Sequence, residues 1–163
     1  MRLQNKIAIV TGAGGGFGEG VARRFADEGA KVAVVDIRAA EAERVAREIG
    51  AAAVALEADV GDADDVQRVV DQTKARFGAL NILVNNAGVT HKNRPLLEVD
   101  EAMFDHIFRV NVKSIFHFVR SIAPIMRDNG GGVILNVGST AGIRPRPGLT
   151  WYNATKGAVN LAS

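Results

Sequence analysis

The sequence predicts an α/β protein, a parallel sheet between two helical layers in a three-layer, doubly wound arrangement. Three observations carry this: Val- and Ile-rich runs of strand length recur along the chain, helix-length segments separate them, and a glycine-rich turn follows the first run. Strand, helix and strand in alternation require right-handed crossovers, which leave the strands parallel and place helices on both faces.

The first run, KIAIV at 6–10, is apolar on consecutive positions and reads as a strand buried on both faces. The same reading applies to KVAVV (31–35), AVAL (53–56), LNILV (80–84) and GVILNV (132–137). TGAGGGFGEG fills 11–20, and Phe17, Val21 and Phe25 form an i, i+4, i+8 apolar stripe on the helix it opens. The clearest helix runs from about Asp62 to Phe77, with Val66, Val69, Val70, Thr73 and Phe77 on one face. Asp62, with Asp65 three residues on, marks its start, because carboxylates there accept free N–H groups and oppose the helix dipole. A further helix is predicted to begin near Asn111, to carry Ile115, Val119, Ile122 and Met126 along one side, and to kink at Pro124. Asn129 and Gly130 to Gly132 end it. No linker or repeat interrupts the pattern, and 163 residues with 47 % hydrophobic composition suit one domain spanning 1–163.

Composition excludes several classes of function. A net charge of +2, from 20 basic and 18 acidic residues, gives no basic face for nucleic acid. The absence of cysteine removes disulfides and thiolate chemistry and fits a reducing compartment. His91, His106 and His117 are too far apart for a local metal motif and read as solvated or packing residues. No apolar run approaches the roughly 20 residues that span a bilayer, and MRLQNKIAIV has no signal-peptide core, so a cytoplasmic location without membrane attachment is expected.

A glycine loop between strand and helix exposes backbone N–H groups at a positive helix end, which suits a pyrophosphate. The spacing here is GxxxGxG, through Gly12, Gly16 and Gly18. Asp36, at the end of KVAVVDIR, can accept both ribose hydroxyls and repel a 2′-phosphate, which favours NAD; Arg38 nearby can pair with that phosphate, which keeps NADP open. Asp59 reads in two ways, as a partner for an adenine amine or as a helix-entry carboxylate beside Gly61 and Asp62. Asn85 to Gly88, NNAG, stand where the fourth strand ends; such asparagines also serve simply as turn formers.

The only tyrosine, Tyr152, precedes Lys156 by four residues, one helical turn on the same face. A free phenol ionises near ~10, so a base near neutrality needs a shift of roughly 2 to 3 units, which a neighbouring ammonium favours. Ser139 follows the fifth strand, at the carboxyl edge where open α/β sheets bind ligands, and can hold the oxygen that Tyr152 protonates or deprotonates.

In order, TGAGGGFG, VVDIR, ADV, NNAG, RVNVKS, NVGSTAG and YNATK make the chain resemble the short-chain dehydrogenase/reductase family over essentially its whole length, in the compact branch with GxxxGxG spacing. The resemblance implies a doubly wound Rossmann fold that binds NAD or NADP and an enzyme acting on CH–OH groups. It implies that Tyr152 is the general acid/base, Lys156 also binds the nicotinamide ribose, Ser139 orients substrate, and Asn111 holds a water in a proton relay. Asp59 and Val60 would touch adenine; Asn85, Ala87 and Gly88 would line the cofactor and brace the sheet; Phe17 belongs to the phosphate loop. Small alcohols or ketones are the implied substrates, with resemblance to 3-oxoacyl-carrier-protein reductases and to sugar and alcohol dehydrogenases, and a homo-oligomer is the implied assembly of the full-length form. Gly138 stands where the family often has another serine. Family members continue well beyond the YxxxK helix, so the chain reads as cut short with C-terminal strands missing, and a non-catalytic dinucleotide- or partner-binding fragment is the alternative. His91, Lys92 and Arg94, with Arg144 and Arg146, read as solvated loop charges or as contacts for an anionic substrate.

Overall fold

The computed structural model describes residues 1–163. Five parallel strands form one sheet: β1 (Ile7–Thr11), β2 (Lys31–Asp36), β3 (Ala53–Glu57), β4 (Ile82–Asn85) and β5 (Val133–Asn136), in the order β3-β2-β1-β4-β5. The helices are α1 (Gly16–Asp27), α2 (Ala39–Ile49), α3 (Ala63–Phe77), α4 (Glu101–Phe108), α5 (Ser114–Asp128) and α6 (Thr150–Leu161).

Side chains alternate across the strands and so feed two cores. Ile7, Ile9, Ala33, Val35 and Leu83 join Val66, Val69 and Val70 of α3 and Phe118, Ile122 and Met126 of α5. Ala8, Val10, Val32, Val34 and Val84 join Ala22 of α1 and Ala42, Val45 and Ala46 of α2 on the other face. This is the predicted three-layer arrangement.

Burial on both faces holds for β1, β2 and β4 but not for β3 and β5, which the strand order leaves at the edges. Apolar composition alone does not separate a central strand from an edge strand, because position in the sheet is decided by the crossovers. Asp62 caps α3 as expected, its carboxylate accepting from the N–H groups of Asp64 and Asp65.

Three expectations are corrected. Phe17 is 87 % exposed and lies off the buried side of α1, which carries Gly18 and Ala22, while Val21 and Phe25 pack partly buried against the core. The helix placed near Asn111 begins ten residues earlier, at Glu101, and passes through a π-helical turn at Arg109–Lys113. That turn shifts the helical phase, so the buried side of α5 is Ser114, Phe118, Ile122 and Met126, with Ile115 and Val119 on its flank.

Candidate active site

The strand tips and the helix ends beyond them form the site. Gly12 (φ +62°) and Gly16 (φ +56°) turn the chain from β1 into α1 through the left-handed region, which glycine enters without strain. A side chain on Gly12 would come within 2.9 Å of the Ala87 Cα, and one on Gly18 would overlap the Gly12 carbonyl. Gly15, at the α1 cap position, offers no side-chain cap. The first-turn N–H groups therefore keep their donors for an anion, and a pyrophosphate fits this cradle.

Beside the loop lies a cleft of about 390 Å³, whose lining includes Gly12, Asp36, Arg38, Asp59, Val60, Ala87, Gly88 and Arg109. Asp36 is buried; its Oδ2 accepts from the Gly14 N–H at 2.9 Å and its Oδ1 from the Arg38 N–H at 3.0 Å. A side chain on Gly14 would meet the Asp36 Oδ2 at 2.8 Å, so this glycine, absent from the sequence-derived set, lets loop and carboxylate meet. The Arg38 guanidinium turns toward the same carboxylate, with Nε 3.4 Å from Oδ1. Asp59 does not cap α3; it accepts from the Arg109 Nη1 at 2.8 Å and from the Gly61 N–H at 2.9 Å.

NNAG is anchored by one hydroxyl. Thr11 Oγ1 accepts from the N–H groups of Asn86 and Ala87, each at 3.0 Å, and donates to the Val84 carbonyl at 3.3 Å. Asn86 Nδ2 donates to the carbonyls of Thr11 (2.8 Å) and Gly12 (3.1 Å), which ties the glycine loop to β4. Asn85 lies outside the cleft lining, and its Nδ2 donates to Asn136 Oδ1 at 2.9 Å across the β4–β5 pair. Phe17, Gly16 and Gly18 also lie outside that lining.

The residues expected to carry the chemistry lie past the other side of Gly88. A methyl there would sit 3.4 Å from Asn111 Oδ1 and 3.7 Å from Lys156 Nζ. Lys156 is buried and its ammonium donates to the Val137 carbonyl at 2.8 Å; burial pushes it below the ordinary lysine range. Asn111, buried in the π-helical turn, accepts from the Val89 N–H at 2.8 Å and donates to the Val89 carbonyl (2.9 Å) and Thr155 Oγ1 (3.0 Å). Thr155 Oγ1 in turn donates to the Tyr152 carbonyl at 2.8 Å, so α6 and the π-helical turn are tied through one hydroxyl.

Ser139 opens a short 3-10 turn, Thr140–Gly142, and its Oγ accepts from the Ala141 N–H at 3.1 Å, which leaves its own O–H free to donate. Asn160, one turn beyond Lys156, clamps Ser139 by both backbone groups: Oδ1 accepts from its N–H at 3.3 Å and Nδ2 donates to its carbonyl at 3.0 Å. A side chain at position 138 would overlap Asn160 Oδ1, so the glycine standing in place of a second serine makes room for this clamp. Tyr152 is half-buried on the same helix.

Thr11, Gly14, Asn86, Arg109 and Asn160 were not singled out by sequence reasoning. Thr11 and Gly14 stand inside TGAGGGFG, Asn86 inside NNAG and Arg109 at the start of RVNVKS, and the i+4 step from Lys156 to Asn160 was a visible signal; none of the motifs by itself gives these residues their partners. His91 is not solvated: it is buried, with Nδ1 2.8 Å from the Lys92 carbonyl and Nε2 without a hydrogen-bond partner. Arg94 N–H donates to the Gly148 carbonyl at 3.1 Å, so the two cationic loops lie side by side.

The chain is similar to known proteins over nearly its whole length. The chain is 46 % identical over 165 residues to 4-formylbenzenesulfonate dehydrogenase of Comamonas testosteroni, covering 99 % of this chain and 66 % of that protein. It is 39 % identical over 164 residues to galactitol 2-dehydrogenase of Agrobacterium fabrum, covering 100 % and 64 %. Among solved structures, 3-ketoacyl-(acyl-carrier-protein) reductase from Brucella melitensis complexed with NADH superposes with a TM-score of 0.97 at 49 % identity, over 98 % of this chain and 68 % of that one. The chain thus spans about two thirds of the length of these relatives. The model of the short chain dehydrogenase family matches residues 6–163, and the chain belongs to that family.

Proposed function

We propose that this chain carries the dinucleotide-binding and reactive part of an NAD(P)-dependent oxidoreductase that interconverts a secondary alcohol and a ketone, with NAD preferred. The observation that carries the reading is Gly88, which lines the cleft and lies with its Cα flank against both Asn111 and Lys156, so that one strand tip joins cofactor cleft to reactive group. The NADH in the Brucella reductase supports the cofactor class, and the sulfonated aldehyde and sugar-alcohol dehydrogenases support carbonyl and alcohol chemistry.

When bound, the nicotinamide supplies or takes up the hydride. The chain's own residues handle the substrate oxygen and its proton. Ser139 donates to that oxygen through the O–H its turn leaves free; Tyr152 gives or removes the proton; Lys156, one turn on, holds the nicotinamide ribose. The remaining acceptor position of Asn111 Oδ1 holds a relay water. Asp36 takes the adenosine ribose hydroxyls and opposes a 2′-phosphate, while Arg38, drawn toward Asp36, is not set aside for that phosphate. Asp59 and Val60 take the adenine. Ketone reduction of the 3-oxoacyl-carrier-protein type and polyol oxidation both fall within this reading.

The test is Tyr152→Phe, assayed on secondary alcohols and ketones with NAD and NADP alongside NADH binding by fluorescence. Turnover is expected to fall by about 10² to 10⁴ with NADH affinity kept. An active Phe variant defeats the assignment, and NADH binding without turnover in the unsubstituted chain restricts the reading to dinucleotide binding.

A further inference from the structure

One wall of the cleft includes Arg109, a residue to which the sequence reading gave no role of its own. Asp59 is fixed at three points: its N–H donates to Asp65 Oδ2 at 2.9 Å, its Oδ1 accepts from the Gly61 N–H at 2.9 Å, and its Oδ2 accepts from Arg109 Nη1 at 2.8 Å. Arg109 opens the π-helical turn, 50 residues away in sequence, and lines the same cleft. Its side chain lies over Gly61, where a Cβ would stand 2.7 Å from Arg109 Cγ and from Nη1. Any larger residue at 61 displaces the guanidinium.

We propose that Arg109, seated on Gly61, is a positioning residue that makes the cleft select a purine with an exocyclic amine over one with a carbonyl. The role rests on the dinucleotide reading above and adds base selectivity to it. An ionised carboxylate offers two acceptor positions on each oxygen. Arg109 takes one on Oδ2 and Gly61 one on Oδ1, which leaves one on each for a ligand. An adenine amine donates to such a position, whereas a hypoxanthine carbonyl has no proton to donate to it. A carboxylate already held in one orientation loses no rotamer freedom when it makes that bond; an unheld one does.

The experiment compares binding of NADH and of reduced nicotinamide hypoxanthine dinucleotide, both by fluorescence, in the unsubstituted chain and in Arg109→Leu, Arg109→Lys and Gly61→Ala, with thermal midpoints as the check on folding. The unsubstituted chain is expected to prefer NADH by about tenfold, the lower end for a hydrogen bond to a charged group. In Arg109→Leu and in Gly61→Ala the preference is expected to collapse toward one through weaker NADH binding alone, and Arg109→Lys restores part of it. A preference that survives in Arg109→Leu, or a loss of affinity shared equally by both dinucleotides, overturns the role. Equal binding of both by the unsubstituted chain overturns it too while leaving the dinucleotide reading in place. Absence of any NADH binding sinks that reading and this role together. Should Arg109→Leu fail to fold, the Lys and Gly61→Ala variants decide the outcome.

Discussion

Thr11 makes three hydrogen bonds with one hydroxyl, and two of them hold backbone N–H groups of the strand tip that borders the cleft. Valine has nearly the same shape and no acceptor. Thr11→Val is expected to leave the Ala87 N–H without a partner and the Asn86 N–H with the Val84 carbonyl alone, and to lower stability by about 1 to 3 kcal/mol, measured by urea unfolding. Lys156 shows a different side of the same physics. Burial places its folded value below its unfolded one, so the protonated form costs stability at neutral pH, and the cost fades as pH rises into the ordinary lysine range. The residue that the sequence marks for chemistry is thus one that the fold holds against its own preference. The Tyr152 and Lys156 pairing was legible because a helix converts a spacing of four into a shared face. The Val137 carbonyl that receives the ammonium was not, since it lies 19 residues away on another element.

At the scale of elements, α1 and α2 are joined by ion pairs. Glu19 accepts from Arg44, with Oε2 to Nη2 at 2.9 Å, and from Arg23, with Oε1 to Nη2 at 2.7 Å. Arg44 Nη2 also donates to the Gly14 carbonyl at 3.1 Å, so the pairs reach the glycine loop. The hydrogen bond from Arg44, then that from Arg23, hold the Glu19 carboxyl down from 4.5 to about 2. A carboxylate depressed on folding adds stability above its unfolded value and loses it as the pH falls through the folded one. Glu19→Gln is expected to flatten the decline of the urea midpoint between pH 4.5 and about 2. The decline does not vanish, because Glu28, Glu48 and Asp65 are lowered as well. The helices themselves were predictable where a cap and a stripe coincided, as in α3. The π-helical turn was not, because an extra residue in a turn leaves no mark on apolar periodicity until the phase beyond it is seen.

For the molecule as a whole, sheet order governs exposure. β5 lies at an edge with Val133 59 % exposed, and a bare edge strand with apolar side chains invites pairing with another chain. Val133→Lys is expected to change stability by no more than about 0.5 kcal/mol and to raise the concentration at which the chain stays monodisperse in light scattering. Alternation of strand and helix, the glycine loop after β1, the Asp62 cap and the one-turn spacing of Tyr152 and Lys156 were determined by the sequence alone, because each depends on backbone geometry within a few residues. The bonds of Arg109 to Asp59, Asn160 to Ser139 and Lys156 to Val137, spanning 50, 21 and 19 residues, were decided only by the tertiary structure. They form when crossovers bring separate strand tips and helix ends to one edge, and no local pattern in the chain encodes which side chains will meet there.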